Sequence, residues 1–249
     1  MNTRRLLSAL AVASALFLAA DAPKVPSYNV LRAGSPITID GNLDEPAWES
    51  APSVGDFQFP WYREGKKEQT IAKLLWDDKN LYVSFRCEDA HISGVTTRRD
   101  GPVYEDDCVE VFTAPNPDDG MNYINLEMNV REAWLDDHHP SGPGSQARPR
   151  FNGKGIQIKT TVQGTLNDDS DSDEYWTLEA AIPLANYAHV AQNVPPKPGD
   201  VWRIGLNRCG GKTNEQFSQW SPSRTPTPQF HAPQDFGQVI FSEETAGSK

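Results

Sequence analysis

Apolar and polar residues alternate in short stretches along most of the chain, and turn-forming sequences separate these stretches. Because successive side chains of a β-strand point to opposite faces, the alternation predicts strands that bury one face. The segment 77–80, with sequence DDKN, predicts a tight hairpin between two apolar runs. Strands are predicted at residues 37–39, 70–76, 81–88, 108–113, 122–130, 133–135, 155–163, 175–182, 201–208, 216–220 and 238–241.

This pattern predicts an all-β fold. Many short strands without heptads or a long helical stripe are typical of two antiparallel sheets packed as a β-sandwich, with a jelly-roll or Greek-key path. Short helical turns are predicted at residues 44–51, where Pro46 suits a first turn, and at residues 184–190. The Gly-, Pro- and Ser-rich residues 138–149 are predicted to form a mobile loop.

The N-terminus predicts export. Residues 1–22 have a basic start, a short apolar run and small residues at the end, as in a secretory signal peptide. The protein is therefore expected to be secreted or periplasmic, with an uncleaved N-terminal anchor as the alternative. The expected organisation is a polar lead-in at 23–35, one β-sandwich domain at 36–243 and a tail at 244–249.

The net charge argues against nucleic acids and membrane surfaces as partners. The 249 residues include 23 Lys and Arg against 34 Asp and Glu, which gives a formal net charge of -11 at pH 7. An acidic chain repels phosphates and anionic lipids, so neither nucleic acid nor a membrane surface is an expected partner.

The three cysteines, Cys87, Cys108 and Cys209, leave at least one thiol unpaired within a monomer. By strand alternation Cys87 faces the core and Cys108 faces away from it. A bridge between Cys108 and Cys209 and a set of buried free thiols both remain open.

The segment 104–112, with sequence YEDDCVEVF, is the strongest candidate for function. Alternation places Val109 and Val111 in the core and Glu110 on the other face. A carboxylate beside aromatic rings on an open sheet face suits sugars, which need hydrogen-bond acceptors for their hydroxyls and flat apolar surfaces under their C–H groups. An edge strand protected by charge is the alternative interpretation.

The order of five motifs resembles the family 9 carbohydrate-binding modules over about 200 residues. The motifs are IDGNLDEPAW at 39–48, LWDDKNLYV at 75–83, EDDCVEVF at 105–112, WTLEAAIP at 176–183 and FGQV at 236–239. Each motif alone is common, but their joint order is specific. The resemblance implies a DOMON-like β-sandwich that binds sugars, including the ends of polysaccharide chains, in support of secreted glycoside hydrolases.

The resemblance also implies site residues. The two rings that stack on the sugar correspond to Tyr104 and Phe230, and the glutamate that hydrogen-bonds its hydroxyls corresponds to Glu110. A family arginine on the following strand corresponds to Glu127, which replaces a hydrogen-bond donor by an acceptor. Independently of the family, Arg98 precedes Tyr104 closely enough to donate to a sugar, although surface ion pairing is its alternative role.

The resemblance further implies structural calcium. The hard-oxygen ligands that calcium prefers are supplied by acidic loops. The candidate ligands are Asp40, Asp44, Glu45, Asp106 and Asp107.

Three other functions stay open. A glycoside hydrolase would pair Glu110 with Glu127 or Glu179 as acid and base. A haem-binding electron-transfer domain would need Met121 or Met128 as a ligand. A structural or protein-interaction module would keep the fold without a sugar site.

Overall fold

The computed structural model describes residues 24–247, in which eleven strands hydrogen-bond into one strongly curled mixed sheet. The order across the sheet is β6-β5-β4-β9-β11-β1-β2-β3-β8-β7, and β10 pairs with β9 beside this path. The strands are β1 (Ser27–Ala33), β2 (Thr70–Trp76), β3 (Asn80–Glu88), β4 (Cys108–Ala114), β5 (Tyr123–Asn129), β6 (Trp134–His139), β7 (Gln157–Gln163), β8 (Tyr175–Pro183), β9 (Val201–Cys209), β10 (Phe217–Gln219) and β11 (Gly237–Ala246).

The curl makes the two ends of the sheet share one core, as in a sandwich. Val109 and Val111 of β4 belong to the same buried cluster as Val83 and Phe85 of β3 and Leu178 of β8. These residues alternate with side chains on the opposite faces of their strands, so the predicted period-two pattern accounts for the core. The predicted all-β sandwich is confirmed.

β1 corrects the predicted lead-in. Residues 27–33 form a strand inside the sheet, between β11 and β2, and pair with both neighbours in parallel. The sheet is therefore mixed instead of purely antiparallel. Tyr28 and Val30 are buried while Ser27 and Asn29 are exposed, so this strand does alternate, but the prolines and polar residues around it hid the pattern.

The predicted strand at 37–39 is wrong. These residues form no strand, and Ile37 and Ile39 instead pack, partly buried, on a cluster around Trp48. The helical turns are confirmed: α1 spans Pro46–Ser50, and a 3₁₀ turn spans Leu184–Tyr187.

The predicted mobile loop at 138–149 needs correction at its start. β6 runs on to His138 and His139, which are both buried because they pair with Ile124 and Tyr123 of β5. The Ala147 amide donates to the His138 carbonyl at 2.9 Å, which ties the loop back onto the strand.

The N-terminal prediction lies outside the described residues. The signal peptide falls on residues 1–22, and the description begins at residue 24. Within residues 24–247, no helix has the length and apolar character needed to cross a bilayer.

A buried ion pair joins β9 to the end of β3. Arg208 is 1% exposed, and its guanidinium donates to Asp89 Oδ2 at 2.8 Å and lies 3.8 Å from Glu68 Oε2. It also donates to the carbonyls of Glu88 at 2.7 Å and Glu68 at 3.1 Å. Arg208 therefore neutralises buried carboxylates and satisfies backbone acceptors between two strands.

Replacing Arg208 should destabilise the fold strongly. Arg208→Met leaves the carboxylates of Glu68 and Asp89 buried without a cation, and we expect the free energy of unfolding to fall by about 3–5 kcal/mol. Lys159→Met is the control, since Lys159 pairs with Glu132 at an exposed site and should cost at most about 1 kcal/mol. Urea denaturation at pH 7 measures both, and equal losses would contradict this account.

Candidate functional site

β4 carries the site on the face that points away from the core. Val109 and Val111 enter the main core, while Cys108 and Phe112 belong to a second apolar cluster on the other side of the sheet. Glu110 lies on the same side as this second cluster, because it alternates with the two valines. The predicted orientation of this strand is confirmed.

The pairing register places polar side chains on both sides of Glu110. Glu127 of β5 lies opposite Glu110 on one side, and Asn207 of β9 lies opposite it on the other. A cavity of about 320 Å³ opens over this row. Its lining residues are Tyr104, Glu110, Phe112, Glu127, Cys209, Phe217, Pro228, Gln229, Phe230 and His231.

The two carboxyl groups differ in their hydrogen bonds. Glu110 Oε2 accepts from Asn207 Nδ2 at 3.2 Å, and Glu110 Oε1 accepts from the Cys209 thiol at 3.5 Å. Glu127 Oε1 accepts from Asn125 Nδ2 at 2.9 Å, whereas Glu127 Oε2 is buried without a hydrogen-bond partner. Glu127 is one of the cavity-lining residues, and a buried acceptor without a partner carries a cost in free energy.

Burial raises the pKa values of both carboxyl groups, and the charge of Glu127 adds to the effect at Glu110. Burial is the larger cause for Glu110, and the charge of Glu127 raises its pKa further. Burial raises the pKa of Glu127 to about 7, against the hydrogen bond from Asn125. Two carboxyls so placed resist holding two negative charges, so near neutral pH the pair retains a proton.

A chain of side chains behind the cavity orients Glu127. His139 Nε2 lies 3.1 Å from Asn125 Oδ1, and the amide of Asn125 donates in turn to Glu127. Both His139 and Asn125 are buried, and their strands lie side by side. Asn125 thereby fixes which oxygen of Glu127 lacks a hydrogen-bond partner.

The aromatic walls differ in exposure. Tyr104 is 50% exposed on a 3₁₀ turn just before β4, while Phe230 is only 9% exposed. The Phe230 ring packs against Trp61 at 5.9 Å and Phe217 at 6.1 Å between centroids. Tyr104 thus offers a free ring face, and Phe230 offers one side of a packed aromatic cluster.

His231 is a neutral part of the wall. Burial, followed by the nearby His139, lowers the pKa of His231 to about 4. Its ring lies 4.7 Å from that of Phe112, and its Nδ1 lies 2.8 Å from the Tyr123 hydroxyl. His231 therefore acts as a hydrogen-bonded flat ring at neutral pH.

The structure brings together four of the five predicted sugar-binding residues: Tyr104, Glu110, Glu127 and Phe230. Arg98 is exposed and is not among the lining residues. Alternation along β4 already indicated Phe112, and His231 follows Phe230 in sequence. Phe217 and Gln229 lie in short or irregular segments and gave no sequence signal.

Glu179 does not belong to this site. It lies on β8 in the other half of the sheet, where Trp48 Nε1 donates to its Oε1 at 2.8 Å. Its Oε2 accepts from the amides of Asp40 and Gly41 at 3.1 and 3.2 Å. Glu179 therefore anchors the loop before α1, and the option of pairing it with Glu110 in catalysis is wrong.

The methionines offer no facing pair for haem. Met128 is buried in the main core, while Met121 is 44% exposed on the turn before β5. One side chain therefore points between the two halves of the sandwich and the other lies at the surface.

The predicted calcium ligands fall into two separate loops. Asp40 Oδ1 accepts from the Asn42 amide at 2.8 Å, and Glu45 Oε1 accepts from the Thr38 amide at 3.0 Å. Asp44 is exposed. These three residues belong to the loop that Glu179 anchors.

Asp106 and Asp107 bind backbone groups near the start of β4. Asp106 accepts from the amides of Val95 at 3.0 Å and Thr96 at 2.9 Å, and from Asn129 Nδ2 at 2.7 Å. Asp107 accepts from the amides of Ser93 and Gly211, each at 2.6 Å.

The five predicted ligands therefore do not fit a single calcium ion. Across residues 24–247, no group of three or more His, Cys, Asp or Glu side chains is arranged to hold a metal. Calcium binding stays a prediction of the resemblance.

The three cysteines are free thiols, and all are buried. Cys87 lies in the main core, as predicted, and burial raises its pKa to about 12. Cys108 and Cys209 face each other in register across β4 and β9. Cys209 also reaches the cavity, where it hydrogen-bonds Glu110.

A polar floor of carboxyl and amide groups under aromatic walls suits a ligand with both hydroxyls and flat C–H faces. Carried on the outer face of a β-sandwich, this site defines the class of carbohydrate-binding modules. The sequence model described as "Carbohydrate family 9 binding domain-like" matches residues 39–244, and the chain belongs to that family.

Solved structures of low sequence identity share the fold. A Bacteroides uniformis protein, assigned provisionally as carbohydrate-binding, superposes with a TM-score of 0.73 at 20% identity, over 88% of this chain and 100% of its own. A family 9 module of Caldicellulosiruptor kristjanssonii, solved with cellotriose, gives a TM-score of 0.61 at 17% identity, over 90% and 97%.

Two curated enzymes contain a region similar to this chain. Endo-1,4-beta-xylanase C of Paenibacillus barcinonensis is 28% identical over 61% of this chain, and endo-1,4-beta-xylanase A of Thermoanaerobacterium saccharolyticum is 23% identical over 86%. The aligned regions make up 12% and 16% of those enzymes. The chain therefore matches a small part of each xylanase.

The carboxyl pair should make folding stability depend on pH. The folded pKa of Glu127, about 7, lies above the ordinary value, so its contribution to stability is complete below pH 4.5 and is lost as the pH rises towards 7. Glu127→Gln has no carboxyl to ionise and so avoids this loss. The free energy of unfolding of the variant, relative to that of wild type, should therefore rise by up to about 3 kcal/mol between pH 4 and pH 8. Urea denaturation across this range, with Glu132→Gln as the control, measures the difference, and a constant difference would contradict it.

The hydrogen bonds of Asp106 predict how its replacement changes the free energy of unfolding with and without calcium. Asp106→Asn turns an amide N–H₂ towards N–H donors and should cost about 2–3 kcal/mol. The loss should be equal in excess calcium and in excess EDTA, because the partners are protein N–H groups. The control Asp56→Asn changes an exposed side chain that is not a candidate calcium ligand and should cost at most about 0.5 kcal/mol. A loss confined to the calcium samples would instead place the ion at Asp106.

Proposed function

We propose that the cavity over β4 is the sugar site of this carbohydrate-binding module. The observation that carries the proposal is that Glu110, Glu127 and the half-exposed ring of Tyr104 line one cavity. A pyranose lying on Tyr104 directs its hydroxyls to the sheet and its C–H groups to the ring. Phe230 and His231 close the other wall of the same cavity.

The shared proton gives the carboxyl pair two roles. A carboxylate accepts a hydrogen bond from a sugar hydroxyl, while a neutral carboxyl donates one through its own O–H. Retaining one proton lets the pair do both on one ligand. Glu127 corresponds to an arginine in the family. Its replacement by glutamate is compatible with this arrangement, because the neutral carboxyl supplies the hydrogen-bond donor.

Binding without catalysis fits the pair better than hydrolysis does. Asn207 and the Cys209 thiol hold Glu110, and Asn125 holds Glu127. These contacts fix both groups on the sheet floor. A hydrolase also keeps one of its two carboxyls protonated, but it needs the two groups on opposite sides of the scissile bond. Here both are neighbours in register on adjacent strands.

The biological setting we propose is polysaccharide degradation outside the cytoplasm. The N-terminal sequence pattern, which predicts a signal peptide, supports export, and the similarity to a small part of two xylanases supports association with glycoside hydrolases. On this view the module holds an enzyme near its polysaccharide, whether the two share a chain or meet as separate proteins.

Isothermal titration tests the proposed site. Wild-type protein is titrated with glucose, xylose and their β-1,4-linked oligomers, and dissociation constants between micromolar and millimolar are expected. Glu110→Gln keeps the shape but removes an acceptor, and it should weaken binding at least about tenfold. Glu132→Gln, outside the cavity, should bind as wild type does. Absence of binding by the folded wild type to every sugar would overturn the proposal.

A further inference from the structure

We propose a second saccharide subsite beside the first, formed by the loop at 60–64 and the residues before and within β10. This inference rests on the proposed function, since the first cavity must bind sugar for the second to extend it. The subsite would hold further units of a chain whose first unit lies over Glu110. The ligand class is therefore an oligosaccharide or an accessible polysaccharide segment.

The two cavities adjoin. The second has a volume of about 570 Å³ and shares two lining residues, Phe217 and Pro228, with the first. Its other lining residues are Pro60, Trp61, Tyr62, Arg63, Glu64, Asn214, Glu215, Gln216, Pro226 and Thr227. Phe217 and Pro228 therefore lie at the border between the two cavities, and on this proposal the sugar chain passes over them from the first cavity into the second.

Trp61 fixes the boundary between the cavities. Its indole N–H donates to the Thr225 carbonyl at 2.8 Å, which joins the loop at 60–64 to the segment leading to Phe230. Its ring also packs 5.9 Å from that of Phe230, centroid to centroid. The same aromatic cluster therefore supports the wall of the first cavity and lines the second.

The second cavity has the mixed lining that sugars use. Tyr62 contributes a ring and is partly exposed, while Arg63, Glu64 and Glu215 are exposed charged groups. Guanidinium donors and carboxylate acceptors complement the hydroxyls of a sugar, and the ring complements its C–H face. Its exposed charges suit a well-hydrated ligand better than an apolar one.

Other features of the chain point less clearly to a ligand. The cavity near His138 and His189 is lined mainly by loop residues, and none of its lining side chains has a buried polar atom without a partner. The buried thiols already have roles in packing and in holding Glu110. The second cavity is favoured because it continues a site with an independently argued ligand class.

Chain-length dependence tests the subsite. Affinities of glucose, cellobiose, cellotriose and cellohexaose, and of the matching xylose series, are measured by isothermal titration. For at least one series, wild type should bind the trimer about tenfold or more tightly than the monomer, because the second cavity adds a ring for stacking and further hydrogen-bonding groups. Equal affinity for monomer and oligomers in both series would overturn the second subsite and leave the first intact.

Two variants test which residues cause the tighter binding of the trimer than of the monomer. Tyr62→Ala combined with Arg63→Ala should remove most of the difference between trimer and monomer and leave monomer affinity within about twofold. Arg131→Ala, an exposed arginine outside both cavities, is the control and should preserve the full difference. A double variant that keeps the gain would overturn this placement. No binding of any sugar by folded wild type would overturn the first site as well.

Discussion

The position of β4 between β5 and β9 is the constraint on which both the core and the site depend. Every residue of this strand is buried, and both neighbours pair with it in antiparallel register. One set of alternating side chains fills the space between the halves of the sandwich. The other set forms the floor of the cavity. A shift of one residue would exchange the two sets, so core packing itself fixes the site.

The site lowers the stability of the fold that supports it. Apolar side chains at Glu110 and Glu127 would avoid the desolvation that raises the pKa values of both groups. Neighbouring amides compensate in part, because Asn207 and Asn125 each donate to one carboxyl. The oxygen of Glu127 without a hydrogen-bond partner is a further cost.

Strand alternation was enough to predict the orientation of β4 and the outward position of Glu110, and the family resemblance indicated Glu127. It could not predict that Asn207 lies opposite Glu110, because pairing between distant strands depends on the whole sheet. The burial of His138 and His139 was missed for a similar reason: their composition suits a loop, but β5 supplies the partner strand. The family resemblance indicated Phe230, which composition and alternation alone could not.

Sequence also could not separate Tyr104 from Arg98. Both lie in the segment before β4, but only Tyr104 belongs to the 3₁₀ turn that places it in the cavity lining. Likewise, the loop at 60–64 and the strand β10 are far apart in sequence, and they meet because Gln58 pairs with Gln219 of β10. Loop convergence of this kind follows from topology and leaves no local pattern.

β1 lies between β11 and β2 and pairs in parallel with both, which affects how the chain folds during its synthesis. A ribosome makes β1 first and β11 last of the eleven strands, so their pairing waits until nearly the whole domain is made. Until then the early strands lack a neighbour on one side, and their exposed edges invite pairing with other chains. Closure of the sheet is therefore a late folding event. A chain truncated before β11 would lack the strand that lies between β1 and β9 and pairs with each of them.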